Sequence, residues 1–184
     1  MANLIGLSGS LRRGSFNTAL IRAAAAMVPA GSQLTVHTLH GVPLYDGDVE
    51  TTSGVPQVVA ELKDVVAGCD GLLLATPEYN NSIPGVFKNA IDWMTRPAAD
   101  IKRVFGGKPV AIFGASPGGF GTILSQAAWL PVLRTLGTKP WFGGRLMVSR
   151  AGSVFDANGA ITDAKVREQL KAFVEDFVAF CGSR

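Results

Sequence analysis

At 184 residues, 47% hydrophobic and 17% charged, the chain is long enough for one globular domain (1–184) and too apolar for a disordered one. Its net charge of +3 and pI near 9.1 would suit nucleic acid, but the basic residues are dispersed and no aromatic-basic platform occurs, so an anionic small ligand accounts for the charge as economically. Two cysteines without metal-ligand spacing, no apolar run of membrane-spanning length and no signal-peptide layout predict reduced thiols in a cytoplasmic protein.

Asn3–Leu7 reads as a short apolar strand running into the loop Ser8-Gly9-Ser10-Leu11-Arg12-Arg13-Gly14-Ser15. From Phe16 onward, apolar residues at helical spacing (Leu20, Ile21, Ala24, Met27, Val28) predict a helix. A glycine- and serine-rich loop ending at a helix N-terminus is a plausible anion cradle, because first-turn N–H groups lack partners and the helix dipole is positive there. Ser10, Ser15, Asn17 and Thr18 add donors, and Arg12 or Arg13 adds charge; a single phosphate monoester suits the loop. No Gly-Lys-Ser/Thr follows it, and its glycines at 6, 9 and 14 do not fit G-x-G-x-x-G, which excludes the two best-known nucleotide loops. An ordinary strand–helix turn with a serine cap has the same ingredients, so this loop alone leaves both readings open.

Gln33–Leu39 alternates as a second strand flanked by His37 and His40, which have no metal-ligand companions and are assigned no role. Gly41–Thr52 is predicted as loop, Val55–Ala67 as helix, and Leu72–Thr76 as a strand buried on both faces. The turn-rich stretch Pro77-Glu78-Tyr79-Asn80-Asn81-Ser82-Ile83-Pro84-Gly85 precedes a helix over Val86–Met94, in which Trp93 and Met94 are core or interface anchors. Val104–Lys108 is predicted as a turn, Pro109–Phe113 as a strand, and Gly114–Gly121 as a third glycine-rich loop. A helix over Thr122–Leu136 should kink or break at Pro131. A last strand at Leu146–Val148 and an amphipathic helix over Thr162–Phe180 close the chain. Alternating strands and helices predict a doubly wound parallel sheet. The loops after strands one, three and four would share one site at its carboxyl edge.

Three coordinated segments, Leu7–Asn17, Thr76-Pro77-Glu78-Tyr79-Asn80 and Pro84-Gly85 with Lys88-Asn89-Ala90-Ile91-Asp92-Trp93, resemble the NADPH-dependent FMN reductase family, and in particular its bacterial chromate and quinone reductases. The resemblance implies an α/β flavodoxin-like five-stranded sheet of order 2-1-3-4-5 in three αβα layers, and a non-covalent FMN. It implies that Ser10, Arg12, Ser15, Phe16 and Asn17 hold the FMN phosphate, that Pro77, Glu78, Tyr79, Asn80 and Asn81 wrap the ring, and that Ser116 touches its other side. Asn81 stands where similar members often carry an aromatic residue.

Further expectations follow from the resemblance. NADPH or NADH would donate hydride to the flavin, and a quinone, chromate, azo compound or free flavin would accept electrons in a ping-pong cycle. No protein group need be catalytic, since the flavin carries the chemistry. Glu78 would serve as an exposed loop acid or an intersubunit ion-pair partner, and Lys102 and Arg103 as a solvated turn in preference to contacts for the NADPH 2′-phosphate. A homodimer or homotetramer is implied. The rival from another class is a flavodoxin-type electron carrier serving protein partners; such carriers are usually acidic and lack paired arginines in the loop.

Overall fold

β1 (Asn3–Ser8), β3 (Gly71–Ala75) and β4 (Pro109–Ala115) are apolar almost throughout, because each lies in the middle of a sheet covered on both faces. The computed structural model describes residues 1–182. β2 (Gln33–Thr38), at one edge, alternates in burial as an edge strand should. The main path is parallel, in the order β2-β1-β3-β4-β5, as expected from the sequence.

The two-residue period of the strands divides the core into two layers. Leu4, Leu73, Ala75, Ala111 and Phe113 face α1 (Phe16–Ala25) and α7 (Ala164–Gly182), meeting Leu20, Ile21, Leu170, Phe173 and Phe177. Ile5, Leu7, Leu72, Leu74 and Val110 face the other way. They meet α3 (Gln57–Ala67), α4 (Gly85–Met94), α5 (Ile101–Phe105) and α6 (Ile123–Thr135) through Leu62, Phe87, Trp93, Phe105 and Trp129. Trp93 and Met94 are fully buried within this chain, which settles them as core.

Four expectations are corrected. The loop over Gly41–Thr52 contains α2 (Gly47–Ser53), capped by Asp46 onto Asp48 N–H and braced by Thr51 and Thr52 hydroxyls on the carbonyls of Gly47 and Asp48. It buries no side chain, so it left no apolar period to read. Within the expected turn at Val104–Lys108, Val104 and Phe105 are the buried end of helix α5 and the turn itself falls at Gly106–Gly107; Arg103, exposed on that helix, is paired with Asp64 and Asp100.

The fifth strand is split, so the sheet has six strands. β5 (Lys139–Pro140) pairs with the start of β4 and β6 (Met147–Val148) with its end. Between them Trp141 turns aside to pack edge-on against Phe173, with ring centroids 5.0 Å apart. Finally, of the kink or break expected at Pro131, the break does not occur, and α6 continues through it. Pro131 and Ala127, whose carbonyl loses its helical donor, are both exposed, so the carbonyl is not buried without a partner.

Candidate functional site

Parallel β1, β3 and β4 end side by side, so the loops that follow them emerge together at the carboxyl edge. The first loop, Gly9–Ser15, is pulled onto the second: Gly9 N–H donates to Ala75 O at 2.9 Å, and a Cβ at Gly9 would collide with the Phe87 ring and Pro77. Glycine is required there by close approach. Ser15 caps α1 by accepting from Thr18 N–H at 3.2 Å, and buried Ser8 and Thr18 share a hydroxyl bond of 2.7 Å behind it.

That cap leaves the N–H groups of Phe16 and Asn17 at the first turn of α1 without helical acceptors. Ser10 is 4% exposed; its Oγ accepts from Arg12 N–H at 3.3 Å, while its own proton has no acceptor among the described residues. Arg12 folds back, Nη2 donating to Gly14 O at 2.6 Å with its guanidinium 5.5 Å from the Phe16 ring centre. Neither Arg12 nor Arg13 pairs with a carboxylate among the described residues. Arg13, together with Gly14, Ser15 and Phe16, lines a groove of about 600 Å³ beside α1, which Arg12 does not.

Asn17 differs from the phosphate-binding expectation. Its amide group is committed to Ala115 at the end of β4, donating from Nδ2 to the carbonyl at 2.8 Å and accepting the Ala115 N–H on Oδ1 at 2.9 Å. What Asn17 offers an anion is therefore its backbone N–H. The pair also binds the first loop to the third.

In the second loop, Tyr79 and Ser82 exchange both backbone hydrogen bonds, at 3.2 and 3.1 Å, around Asn80 (φ 50°) and Asn81 (φ 65°). Two central residues with positive φ make a type I′ hairpin turn, a conformation that asparagine tolerates far better than most side chains. The N–H of Tyr79 is thus consumed, and the exposed tip presents those of Asn80 and Asn81. Pro77 lies buried at the base of the loop, and Tyr79 stands half exposed.

Glu78 is not a free loop acid. Its Oε2 accepts from Leu124 N–H at 2.8 Å and Ser125 N–H at 3.0 Å, capping α6 from outside the helix. Beneath, Thr76 Oγ1 lies 2.8 Å from Ser125 Oγ and accepts from Trp129 Nε1 at 3.1 Å. A Cβ at Gly114 would strike Thr76 O and the Thr122 side chain, so the strand ends also meet closely. In the third loop Ser116 donates its hydroxyl to Gly121 O at 2.6 Å, closing the loop on itself.

The structure therefore brings all eleven expected residues to one edge, and adds three that the sequence reading gave no role in the site. Thr76 and Ser125 are buried hydroxyls inside the cluster. His40 holds the first loop by Nε2–H donating to Leu11 O at 3.1 Å, its Nδ1 lying 3.1 Å from Thr38 Oγ1. No cluster of metal-ligating side chains occurs among the described residues.

This topology, with an anion loop at the first strand and two further loops beside it, defines a flavodoxin-like fold. The family model described as NADPH-dependent FMN reductase matches residues 2–153, and the chain belongs to that family. It is 42% identical over 168 residues to an NAD(P)H-dependent FMN reductase of Pseudomonas aeruginosa, covering 91% of this chain and 89% of that one. It is 39% identical over 176 residues to a 2-hydroxy-1,4-benzoquinone reductase of a Burkholderia species, covering 96% and 94%. Among solved structures, FerB, a flavoenzyme NAD(P)H:(acceptor) oxidoreductase of Paracoccus denitrificans, superposes with a TM-score of 0.85 at 34% identity, covering 99% and 98%. The protein is thus an oxidoreductase with FMN as cofactor and NAD(P)H as electron donor. Its loops fit that cofactor: first-turn N–H groups without helical acceptors, a buried serine hydroxyl and two arginines without carboxylate partners among the described residues suit a phosphate.

Proposed function

We propose that this protein reduces quinone-class small molecules with electrons from NAD(P)H. Ser10, Arg12, Ser15, Phe16 and Asn17 hold the FMN phosphate, and Pro77, Glu78, Tyr79, Asn80, Asn81 and Ser116 border the ring. The observation that carries the reading is the unpaired first turn of α1, set within a cluster of three loops already bonded to one another. FMN held by these residues would supply the hydride-accepting and electron-donating chemistry between donor and acceptor, in the ping-pong order expected of one shared open face.

The chain's own residues bind and orient. Backbone N–H groups of Phe16 and Asn17 and the Ser10 hydroxyl donate to phosphate oxygens; Arg12 adds a charge-assisted bond. Asn80 and Asn81 N–H groups, held outward by the type I′ turn, donate toward the polar edge of the ring, where negative charge accumulates on reduction. Quinone reductases of Pseudomonas putida and Escherichia coli, 33% and 35% identical to this chain, favour the quinone class, and chromate, azo compounds and free flavin are further acceptors of the same open site. Exposed Phe120, Ile123, Leu124, Leu130 and Phe142 support assembly as a homodimer or homotetramer, which light scattering measures directly.

An anaerobic absorption spectrum before and after NADPH tests the proposal. Prompt bleaching of the flavin band followed by recovery on adding a quinone is the expected result. A flavin that NADPH cannot reduce favours an electron carrier, and a protein that takes up no FMN refutes the site.

A further inference from the structure

Glu78 carries the further inference, which rests on the proposed FMN site. One carboxylate oxygen receives two N–H groups of α6, so the segment that borders the ring on one side is tethered to the helix that follows the loop on its other side. Ser125, whose N–H forms half of this cap, also meets Thr76 through its hydroxyl, and Thr76 immediately precedes the second loop. Thr76, Ser125 and Trp129 are fully buried, so the tether is anchored in the core rather than in a mobile surface contact. A helix N-terminus favours a carboxylate, and two N–H donors on one charged oxygen make it a strong anchor.

The first and third loops are joined separately through Asn17 and Ala115. Among the described residues, only the Glu78 tether fixes the second loop to α6 by a side chain that reaches across the gap between them. We propose that Glu78 is a positioning residue that sets the width of the ring slot between the Pro77–Ser82 and Ser116–Gly121 loops. Its carboxylate holds this width before ligand arrives, so FMN meets an already formed slot. This separates Glu78 from the acid–base and ion-pair roles open to a loop glutamate.

The test compares Glu78→Ala, Glu78→Gln and Glu78→Asp with Asp163→Ala, which removes a cap of the same kind from α7, where Asp163 accepts from Val166 N–H at 2.9 Å far along the chain from the three loops. FMN dissociation constants, the fine structure of the bound flavin's visible band and Tm are measured for each. Glu78→Ala is expected to weaken FMN about tenfold, the equivalent of one charge-assisted hydrogen bond, and to blur the band. Glu78→Gln, whose amide oxygen can accept both N–H groups, restores most of the affinity, and the shorter Asp falls between. Asp163→Ala lowers Tm alone.

A Glu78→Ala protein with lowered Tm but unchanged FMN affinity and spectrum reduces Glu78 to a helix cap and overturns the proposal. So does a Glu78→Gln variant that still protects the Leu124 and Ser125 N–H groups from hydrogen exchange yet binds FMN as weakly as Glu78→Ala, because charge rather than placement would then be responsible. If the alanine variant does not fold, the order of Gln above Asp decides. Failure of the wild-type protein to bind FMN in the same titration refutes the site itself. That outcome stays distinct from loss of the tether, which hydrogen exchange at Leu124 and Ser125 reports without flavin.

Discussion

Asn17 and Ala115, ninety-eight residues apart, hold each other by a reciprocal pair of hydrogen bonds, side-chain amide to backbone amide, at 2.8 and 2.9 Å. Through this pair the start of α1 is fixed to the end of β4, although the two elements belong to different βα units. Asn17→Ala would leave the Ala115 N–H and carbonyl without partners in a buried setting, and is expected to cost about 2–4 kcal/mol of stability. Asn17→Asp keeps the shape and one acceptor but places a carboxylate against the carbonyl, and should be no better. Urea unfolding of the flavin-free proteins measures both.

Arg12 has no carboxylate partner among the described residues and lies at the mouth of the first loop, so its removal should affect the ligand more than the fold. Arg12→Ala is expected to weaken FMN by roughly 1.5–3 kcal/mol, about ten- to a hundredfold, with little change in the unfolding midpoint of the flavin-free protein. A fluorescence titration with FMN checks the first quantity and urea the second. Retention of wild-type affinity would remove Arg12 from the phosphate site.

Asn81 sits at φ 65° in the second central position of the type I′ turn. Asn81→Gly should be neutral or slightly stabilising, whereas Asn81→Val should cost about 1–2 kcal/mol, because a β-branched side chain is strained in the left-handed region. Thermal unfolding of the two variants distinguishes this backbone requirement from a role for the asparagine side chain itself.

Away from the site, buried Lys63 reaches Asp100 at 2.6 Å, and Arg103 bonds the same carboxylate at 3.3 Å. The hydrogen bond from Lys63, and then that from Arg103, hold the Asp100 carboxyl below the usual carboxylate range. The folded state therefore binds its proton later than the unfolded chain as pH falls. The associated stability is complete above the unfolded value of about 3.9 and is lost as pH drops through the lower folded value. Asp100→Asn should flatten the acid limb of a plot of urea midpoint against pH in that window; an unchanged slope would show that other carboxylates govern acid unfolding.

Much of this was legible in the chain. Leu72–Leu74 and Val110–Phe113 read as buried parallel strands because burial on both faces demands unbroken apolar runs. The first loop was readable because an anion site at a helix start draws on a small set of residue types, glycine, serine and arginine, in a contiguous stretch. Where an element was short or had no apolar period, the sequence was silent. α2 buries nothing, and the fifth strand is divided by the inward turn of Trp141, a packing decision made by Phe173 and Phe177 from a helix far along the chain.

The sequence by itself determined the doubly wound architecture, the loops that carry the site and, through three spaced motifs, the family. Those features depend on local periodicity and on residue types that stand next to one another. Only the tertiary structure decided what the polar side chains do: that Asn17 binds Ala115 rather than offering its amide to an anion, that Glu78 caps α6, and that His40 steadies Leu11. A hydrogen bond acts over about 3 Å in space, and its partner's place in the chain leaves no mark on the sequence around the donor.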